Sequence, residues 1–150
     1  MPVVDLIVKR FSELTLDELY AIMKLRSDVF VVEQNCVYPD LDDRDQAAIH
    51  VWLQDEAGIE AYLRVMDRGV TQEHPAIGRV IAKKRRCGLG TRVLRAGIEA
   101  ARRQFGADKI YLEAQVYAKS LYEKQGFRQV SGEFLEDGIP HVKMILDCGA

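Results

Sequence analysis

The residues best suited to chemistry in this sequence form a basic turn that contains two glycines. Gly88-Leu89-Gly90 follows the run Lys83-Lys84-Arg85-Arg86 and Cys87, after a stretch typical of a strand and before one typical of a helix. Free amides and the dipole at the start of a helix attract anions, glycines let the backbone approach a ligand, and arginines add charged hydrogen bonds. The turn is suited to bind a pyrophosphate, although a plain strand-to-helix turn with solvated basic side chains fits the same residues.

Two other phosphate-binding motifs fit this turn less well. A P-loop ends in Gly-Lys followed by Ser or Thr, and the turn has no such ending. A dinucleotide-binding loop needs a third glycine near position 93, where this chain has Val93. A pair of glycines alone is a weak signal, and its meaning depends on the elements that flank it.

The apolar pattern predicts a mixed order of strands and helices around the turn. Thr15 and Glu18 have the spacing of a capping box, which predicts a helix from there to residues 26–29. The segment after Gly90 has one apolar and one basic face, as an amphipathic helix does. Strands are predicted at residues 3–9, 50–54, 59–66, 76–82, 109–115, 127–131 and 139–146, and a short helix at 119–124. This order indicates an α/β or α+β fold with a central, partly antiparallel sheet.

Composition and charge place the chain among ordinary globular proteins. Its 150 residues suit a single domain, 1–150, and 48% apolar with 29% charged residues suit one packed core. A net charge of -2 provides no positive field for nucleic acid. The cysteines are odd in number and far apart, so we expect a reduced, cytoplasmic protein without a metal site. We expect neither a signal peptide nor a membrane-spanning segment.

The basic turn resembles the coenzyme-binding motif of the GNAT acetyltransferases. Their signature, Arg/Gln-x-x-Gly-x-Gly/Ala, is matched by the six residues from Arg85 to Gly90, although Arg86 stands where a glycine is often found and the spacer Lys83-Lys84 is short. The resemblance implies a mostly antiparallel sheet with splayed middle strands and with helices on both faces. It also implies that coenzyme A lies against a set of residues at the strand end and the helix start: Val80, Ile81, Arg85, Arg86, Cys87, Gly88, Leu89, Gly90 and Thr91.

A second segment resembles another part of the same family. Residues 118–127, Ala-Lys-Ser-Leu-Tyr-Glu-Lys-Gln-Gly-Phe, match the pattern Ala-x-x-Leu/Phe-Tyr-x-x-x-Gly-Phe. By resemblance, Tyr122 donates a proton to the departing thiolate, and Gln115 and Val116 lie beside the pantetheine arm. A phenol has a pKa near ~10 and keeps its proton at neutral pH, so this role is chemically sound. The alternative for Tyr122 is a buried aromatic side chain that packs the short helix on the sheet.

Two longer blocks narrow the resemblance to the ElaA-type branch of the family. They are residues 25–38 and 136–141. The attacking amine must be neutral, so a base has to accept its proton. His141 lies in the second block, and an unperturbed imidazole, with a pKa near ~6.5, suits this task. Glu33, which is also suited to bind a cationic acceptor, Glu113 and His50 are the other candidates, and His50 is more typical of a structural residue.

Structural roles compete with these catalytic assignments. Arg26 lies on the apolar face of the first predicted helix, and a buried Arg26–Glu33 pair would satisfy both charges. Glu113 faces either the open side of its strand or Arg79 across the sheet. Residues 40–45 are rich in aspartate, and we expect a solvated loop there because the spacing does not match a calcium site.

These matches predict an N-acetyltransferase that uses acetyl-CoA. We expect direct transfer to a primary amine of a small molecule or peptide in a ternary complex, without a metal, nucleic acid or membrane. Cys87 is an unsuitable nucleophile because arginines, which are not bases, adjoin it. The alternatives are an acyltransferase similar to the acyl-homoserine-lactone synthases and a non-catalytic, coenzyme A-binding sensor or interaction module. A homodimer is left open.

Overall fold

The computed structural model describes residues 4–83 and 88–149. The strands are β1 (Asp5–Arg10), β2 (Ile49–Asp55), β3 (Gly58–Met66), β4 (Ala76–Ala82), β5 (Lys109–Gln115), β6 (Arg128–Gln129), β7 (Phe134–Glu136) and β8 (Ile139–Asp147). The α-helices are α1 (Leu16–Arg26), α2 (Leu89–Phe105) and α3 (Lys119–Glu123), and a π-helical segment, Ser27–Glu33, continues α1. Within these described ranges, no helix combines the length and the apolar character needed to cross a membrane.

One mixed sheet runs through the molecule. Its order is β1-β2-β3-β4-β5-β8-β6, and β7 also pairs with β8. The pairings are antiparallel except that of β4 with β5, which is parallel. The predicted hairpin is formed by β2 and β3, and the prediction of a mixed, mostly antiparallel sheet is confirmed.

The two long helices pack on opposite faces of this sheet. Val93 of α2 belongs to the same buried core as Leu63 of β3. Ile22 of α1 belongs to a second core with Tyr62, the neighbour of Leu63 in the same strand. Adjacent strand residues point to opposite faces, so α1 and α2 lie on opposite sides and the predicted placement of helices on both faces is confirmed.

Helix α2 lies very close to β3 at Gly97. A Cβ atom at Gly97 would lie 2.7 Å from Cδ1 of Leu63, which is too short for any side chain. The neighbouring positions Val93, Leu94 and Ala101 are buried, as the predicted apolar face requires. Glycine at position 97 therefore sets the short distance between helix and sheet.

Helix α1 begins as predicted and its helical path continues beyond the predicted end. The Glu18 amide donates to Oγ1 of Thr15 (3.1 Å) and the Thr15 amide donates to Oε1 of Glu18 (2.9 Å), so the capping box is present. The α-helix ends at Arg26, but π-helical turns continue through Glu33. Glu33 is thus the last residue of a helical segment rather than the start of a loop.

The strands near the C-terminal end differ from their predicted bounds. A strand is predicted at 127–131, but β6 spans only Arg128–Gln129, and β7 is not predicted at all. Both strands are short and pair only with β8. Two or three residues are too few to show the alternation by which a strand is recognised in a sequence.

The acidic stretch 40–45 is a loop with two buried carboxylates, Asp40 and Asp45, and three exposed residues. Oδ1 of Asp45 accepts hydrogen bonds from Arg26 and from Nη1 of Arg64, the latter at 3.0 Å. The side chains of Arg26 and Arg64 are 0% and 3% exposed, so their charges need these partners. The predicted loop is present, but Asp40 and Asp45 in it are buried rather than solvated. The alternative of a buried Arg26–Glu33 pair is wrong, because Arg26 takes its carboxylates from this distant stretch.

We expect Asp45→Asn to lower the free energy of unfolding by about 3–5 kcal/mol, because breaking a buried ion pair leaves buried charge uncompensated. Urea unfolding followed by circular dichroism measures this change. Asp43→Asn is the matched control, since Asp43 lies in the same stretch but is exposed, and we expect a change within about 0.5 kcal/mol. Equal stability of the two variants would show that the Asp45 contacts do not hold the stretch in place.

Candidate active site

The parallel strands β4 and β5 separate soon after they meet. Their pairing is confined to Ala76 with Tyr111, next to a hydrogen bond from the Tyr111 amide to the Pro75 carbonyl oxygen (2.9 Å). Beyond this point, β4 continues to Ala82 and β5 to Gln115 with no further pairing between the two described strands. The predicted splay is confirmed, and two strand edges with free backbone groups border a wedge-shaped gap.

A β-bulge in β4 accompanies this divergence. Residues 78–81 of β4 oppose residues 62–64 of β3, so β4 carries an extra residue at this point. Arg79 lies within the bulge and has a left-handed φ of 54°. A bulged strand bends, which directs β4 away from β5. A positive φ is unfavourable for arginine, so this backbone conformation has to be supported by surrounding contacts.

The side chain of Arg79 provides this support. Its Nε lies 2.8 Å from Oδ1 of Asp40, and its Nη2 donates to the Asp40 carbonyl oxygen at 2.9 Å. Its guanidinium also lies over the ring of Tyr38, 5.4 Å from the centroid. Of the two alternatives for Glu113, the pair with Arg79 is therefore wrong, because Arg79 is anchored to the acidic stretch on the α1 side of the sheet.

The wedge opens into a groove of about 1400 Å³ on the α1 side of the sheet. Its walls come from α1 and the π-helical segment on one side, and from β5 and the β7–β8 turn on the other. The side-chain amides of Gln34 and Gln115 hydrogen-bond across the groove at 3.4 Å. The Cys36 thiol donates to the Asp137 carbonyl oxygen at 3.4 Å. The segment after the π-helical turns therefore bridges the two walls.

Helix α2 begins where β4 ends. A Cβ atom at Gly90 would lie 3.5 Å from Cβ of Ala82 and 3.6 Å from Cδ2 of Leu121, so the first turn of α2 lies at the end of β4 and beside α3. Gly88 is the N-cap with a φ of 73°, and it has no side chain to cap the first turn. Three more residues predicted to contact the coenzyme lie outside the described residues: Arg85, Arg86 and Cys87.

The strand residues predicted to contact the coenzyme divide into two groups. Val80, Ile81 and Gln115 line the groove. Val116 begins a short 3-10 turn after β5, and its side chain packs on the core between the sheet and α2. Val80, Ile81 and Gln115 therefore lie at the groove, whereas the Val116 side chain packs against the core.

Tyr122 is buried between α3 and the sheet, and it also lines the groove. Its ring packs edge-on against Phe127, with the ring centroids 6.1 Å apart. Its hydroxyl has no hydrogen-bond partner among the residues that the structure describes. Burial, assisted by the nearby Tyr117 hydroxyl, raises the pKa of Tyr122 above its ordinary value, so the phenol keeps its proton. Tyr122 is therefore suited to donate a proton. It also packs α3 on the sheet, which is the alternative role given above.

His141 lies on β8 at the groove, with 7% of the residue exposed. Its Nδ1 lies 2.7 Å from the Ile139 carbonyl oxygen, and a carbonyl only accepts, so this nitrogen carries a hydrogen. In the neutral imidazole, Nε2 then holds the lone pair. Nε2 lies 3.6 Å from Oε2 of Glu136. His141 therefore has the tautomer of a base at the groove.

The other base candidates have different surroundings. Glu33 lines the groove but is exposed at the end of the π-helical segment. His50 is fully buried away from the groove, with Nδ1 at 2.7 Å from the Tyr62 hydroxyl and Nε2 at 3.0 Å from the Asp45 carbonyl oxygen. Burial lowers the pKa of His50, which keeps it neutral. His50 thus has the structural role that its place in a strand indicates.

Glu136 is a groove residue that sequence reasoning missed as a site residue. It faces Glu113, which accepts a hydrogen bond from the Tyr111 hydroxyl at 2.6 Å. Burial, followed by repulsion from and hydrogen bonding with Glu113, raises the pKa of Glu136. Only its position before the Asp137-Gly138 turn could have drawn attention to it. Among the described side chains, no group of His, Cys, Asp and Glu is arranged to hold a metal ion.

Known proteins share both the sequence and the fold. ElaA of Escherichia coli K12 is 37% identical over 139 residues, which cover 89% of this chain and 90% of ElaA. The crystal structure of E. coli ElaA superposes with a TM-score of 0.90 at 32% identity, covering 97% of this chain and 100% of that one. An acyl-CoA N-acyltransferase from Pseudomonas aeruginosa superposes with a TM-score of 0.88 at 36% identity, covering 95% and 99% of the two chains.

The likeness to an acyl-CoA N-acyltransferase, at 36% identity, supports the class of acyltransferases. The profile of the GNAT acetyltransferase domain matches residues 30–148. The chain belongs to the GNAT acetyltransferase family, in its ElaA-type branch. The acyl-homoserine-lactone synthase LasI has a TM-score of 0.74 at 15% identity, covering 100% of this chain and 92% of LasI, and this likeness shows the fold alone.

Proposed function

We propose that this protein transfers the acetyl group of acetyl-CoA directly to a primary amine of a small molecule or peptide. The observation that carries the proposal is the single backbone pair between β4 and β5, Ala76 with Tyr111, beyond which both strand edges are free. Free strand edges bind an extended ligand that has amide groups of its own. The pantetheine arm of coenzyme A is such a ligand.

The coenzyme would bind along β4 and end at the first turn of α2. The arm lies beside Val80 and Ile81, which follow the bulge and line the groove. The pyrophosphate lies at the amides of Gly88, Leu89, Gly90 and Thr91, where a helix N-terminus attracts negative charge. The basic turn before this helix would contact the coenzyme as well, through Arg85, Arg86 and Cys87. Gln115 and the backbone of Val116 lie on the opposite side of the wedge.

In the transfer step, the amine nitrogen attacks the thioester carbonyl carbon. A C–N bond forms, the C–S bond breaks, and the products are an amide and the coenzyme thiol. We assign Nε2 of His141 as the base that accepts the amine proton. We assign the Tyr122 hydroxyl as the donor of a proton to the departing sulfur. Exchange with water afterwards removes the proton from His141 and returns one to Tyr122. Glu33, at the exposed rim, is assigned to attract the incoming cationic amine, which loses its additional proton to water before it attacks.

Direct transfer is favoured over an acyl-enzyme intermediate. Of the two cysteines in the described residues, Cys36 donates its thiol hydrogen to the Asp137 carbonyl oxygen, and burial raises the pKa of Cys148. Burial thus favours the neutral thiol of Cys148, and only the thiolate is an effective nucleophile. These observations support direct transfer, in which the amine and the thioester meet in one ternary complex.

Calorimetric titration with acetyl-CoA, followed by a thiol-release assay with and without a primary amine, tests the proposal. We expect micromolar affinity and thiol release that depends on the amine. Binding without any amine-dependent release would instead identify a coenzyme A-binding sensor or interaction module. A folded sample that does not bind acetyl-CoA would contradict the assignment of the wedge.

A further inference from the structure

Six charged side chains form a closed ring beside the bulge of β4. Arginines and aspartates alternate around the ring, so that every member contacts two members of opposite charge. In order, the members are Arg26, Asp40, Arg79, Asp42, Arg64 and Asp45, and the last contacts the first. All six N–O distances are 3.5 Å or less. The positive and negative charges of the ring therefore balance.

The ring joins the two elements that border the groove. Arg26 is the last residue of α1, where the π-helical segment begins, and Arg79 lies in the bulge of β4. The side chains are shielded from water, since the most exposed, that of Asp42, is 22% exposed. Shielded charges cannot exchange their partners for water at low cost, so the ring holds its members in fixed positions. The position of Arg79 is thus tied to the end of α1.

The backbone of Arg79 depends on these contacts. Its φ of 54° lies in the left-handed region, which is unfavourable for a residue with a Cβ atom. Its guanidinium contacts Asp40 at 2.8 Å and Asp42 at 3.5 Å. The two residues that follow, Val80 and Ile81, line the groove. A change of φ at Arg79 would redirect the rest of β4, so the conformation of this residue decides where they lie.

We infer that Arg79 is a positioning residue for coenzyme binding, because the ring holds its backbone left-handed and this conformation places Val80 and Ile81 along the wedge. The inference rests on the proposed binding of acetyl-CoA in the wedge. Without the ring contacts, a residue with a side chain at position 79 leaves the left-handed region in most molecules. Acetyl-CoA then binds only the fraction that keeps the bulge, which raises the Kd.

Two substitutions that delete the same guanidinium test the inference. Arg79→Ala retains a Cβ atom, whereas Arg79→Gly has none and adopts a left-handed φ readily. We expect Arg79→Ala to raise the Kd for acetyl-CoA roughly tenfold and Arg79→Gly to stay within about threefold of the wild type. Calorimetric titration measures the Kd, and circular dichroism confirms that each sample is folded. Arg103→Ala, an equal charge change at a side chain of α2 that is 79% exposed, should leave the Kd unchanged.

A second pair of substitutions separates charge from backbone conformation, and it also serves if Arg79→Ala does not fold. Arg79→Lys keeps the charge but disfavours a left-handed φ, whereas Arg79→Asn loses the charge and tolerates this φ. We expect Arg79→Asn to bind acetyl-CoA more tightly than Arg79→Lys. The opposite order would show that the charge of Arg79 matters for the coenzyme and its backbone does not.

The inference and the proposed function can fail separately. Equal Kd values for Arg79→Ala and Arg79→Gly would refute the positioning role, because a purely structural side chain or a direct contact with the coenzyme is lost equally in both. Wild-type protein that is folded but does not bind acetyl-CoA would refute the proposed function, and the inference with it.

Discussion

Replacing Tyr122 with phenylalanine is expected to lower turnover about 100-fold, while the Kd for acetyl-CoA stays within about threefold. The hydroxyl has no hydrogen-bond partner among the described residues, so its removal leaves no other donor or acceptor unpaired. The ring remains and keeps its edge-on contact with Phe127. Steady-state thiol release measures the turnover, and calorimetry measures the affinity.

Tyr20→Phe is the matched control for this experiment. It deletes the same hydroxyl from a tyrosine on α1 that is 73% exposed, and we expect unchanged turnover. Undiminished turnover in Tyr122→Phe would leave Tyr122 only its packing role between α3 and the sheet. Because phenylalanine preserves that packing, the two roles are separated by this one change.

Replacing Gly88 with glutamate is expected to raise the Kd for acetyl-CoA at least about 100-fold, through backbone strain and repulsion of the pyrophosphate. Gly88 has a φ of 73°, which a side chain other than that of asparagine or aspartate rarely adopts. A carboxylate at this N-cap also lies where the proposal places the negative charge of the coenzyme. Calorimetric titration measures the change in affinity.

Two further variants separate the causes of that loss. Gly88→Asn tolerates the left-handed backbone and adds no charge, so we expect a smaller loss of affinity. Gly69→Glu places the same side chain at a glycine with a φ of 87° and open surroundings, between β3 and β4, and we expect unchanged affinity. Tight binding by a folded Gly88→Glu variant would contradict the placement of the pyrophosphate at α2.

The strands and the helix to which we assign the coenzyme could largely be predicted from the sequence because they are built from local signals. The bounds predicted for β4 and β5, 76–82 and 109–115, agree with the structure. Glycines mark the start of α2, and the apolar face of this helix has a regular helical period. Each of these signals lies within one short segment, so neighbouring residues were sufficient to recognise it.

The contacts of the other groove wall and of the acidic stretch could not be predicted in the same way because they join distant segments. Arg26 binds Asp45, which is 19 residues away, and nothing in the local pattern distinguishes this carboxylate from its neighbours. Glu113 and Glu136 meet only because the β7–β8 turn reaches the face of β5. The left-handed φ of Arg79 has no sequence signal, since arginine is uncommon in that conformation.

The single pair between Ala76 and Tyr111 also acts as a pivot between two half-sheets, β1 to β4 and β5 to β8. The far end of β4 lies six residues beyond the pivot, a lever arm of roughly 20 Å. A rotation of about 5° about the pivot would displace that end by about 1.7 Å, and a misplacement of about 1 Å can lower a rate 100-fold. Helix α2 packs against the first half-sheet, at Leu63, and Leu112 of the second half-sheet belongs to the same buried core. This core, which includes Tyr122, therefore joins the two half-sheets and opposes their rotation about the pivot.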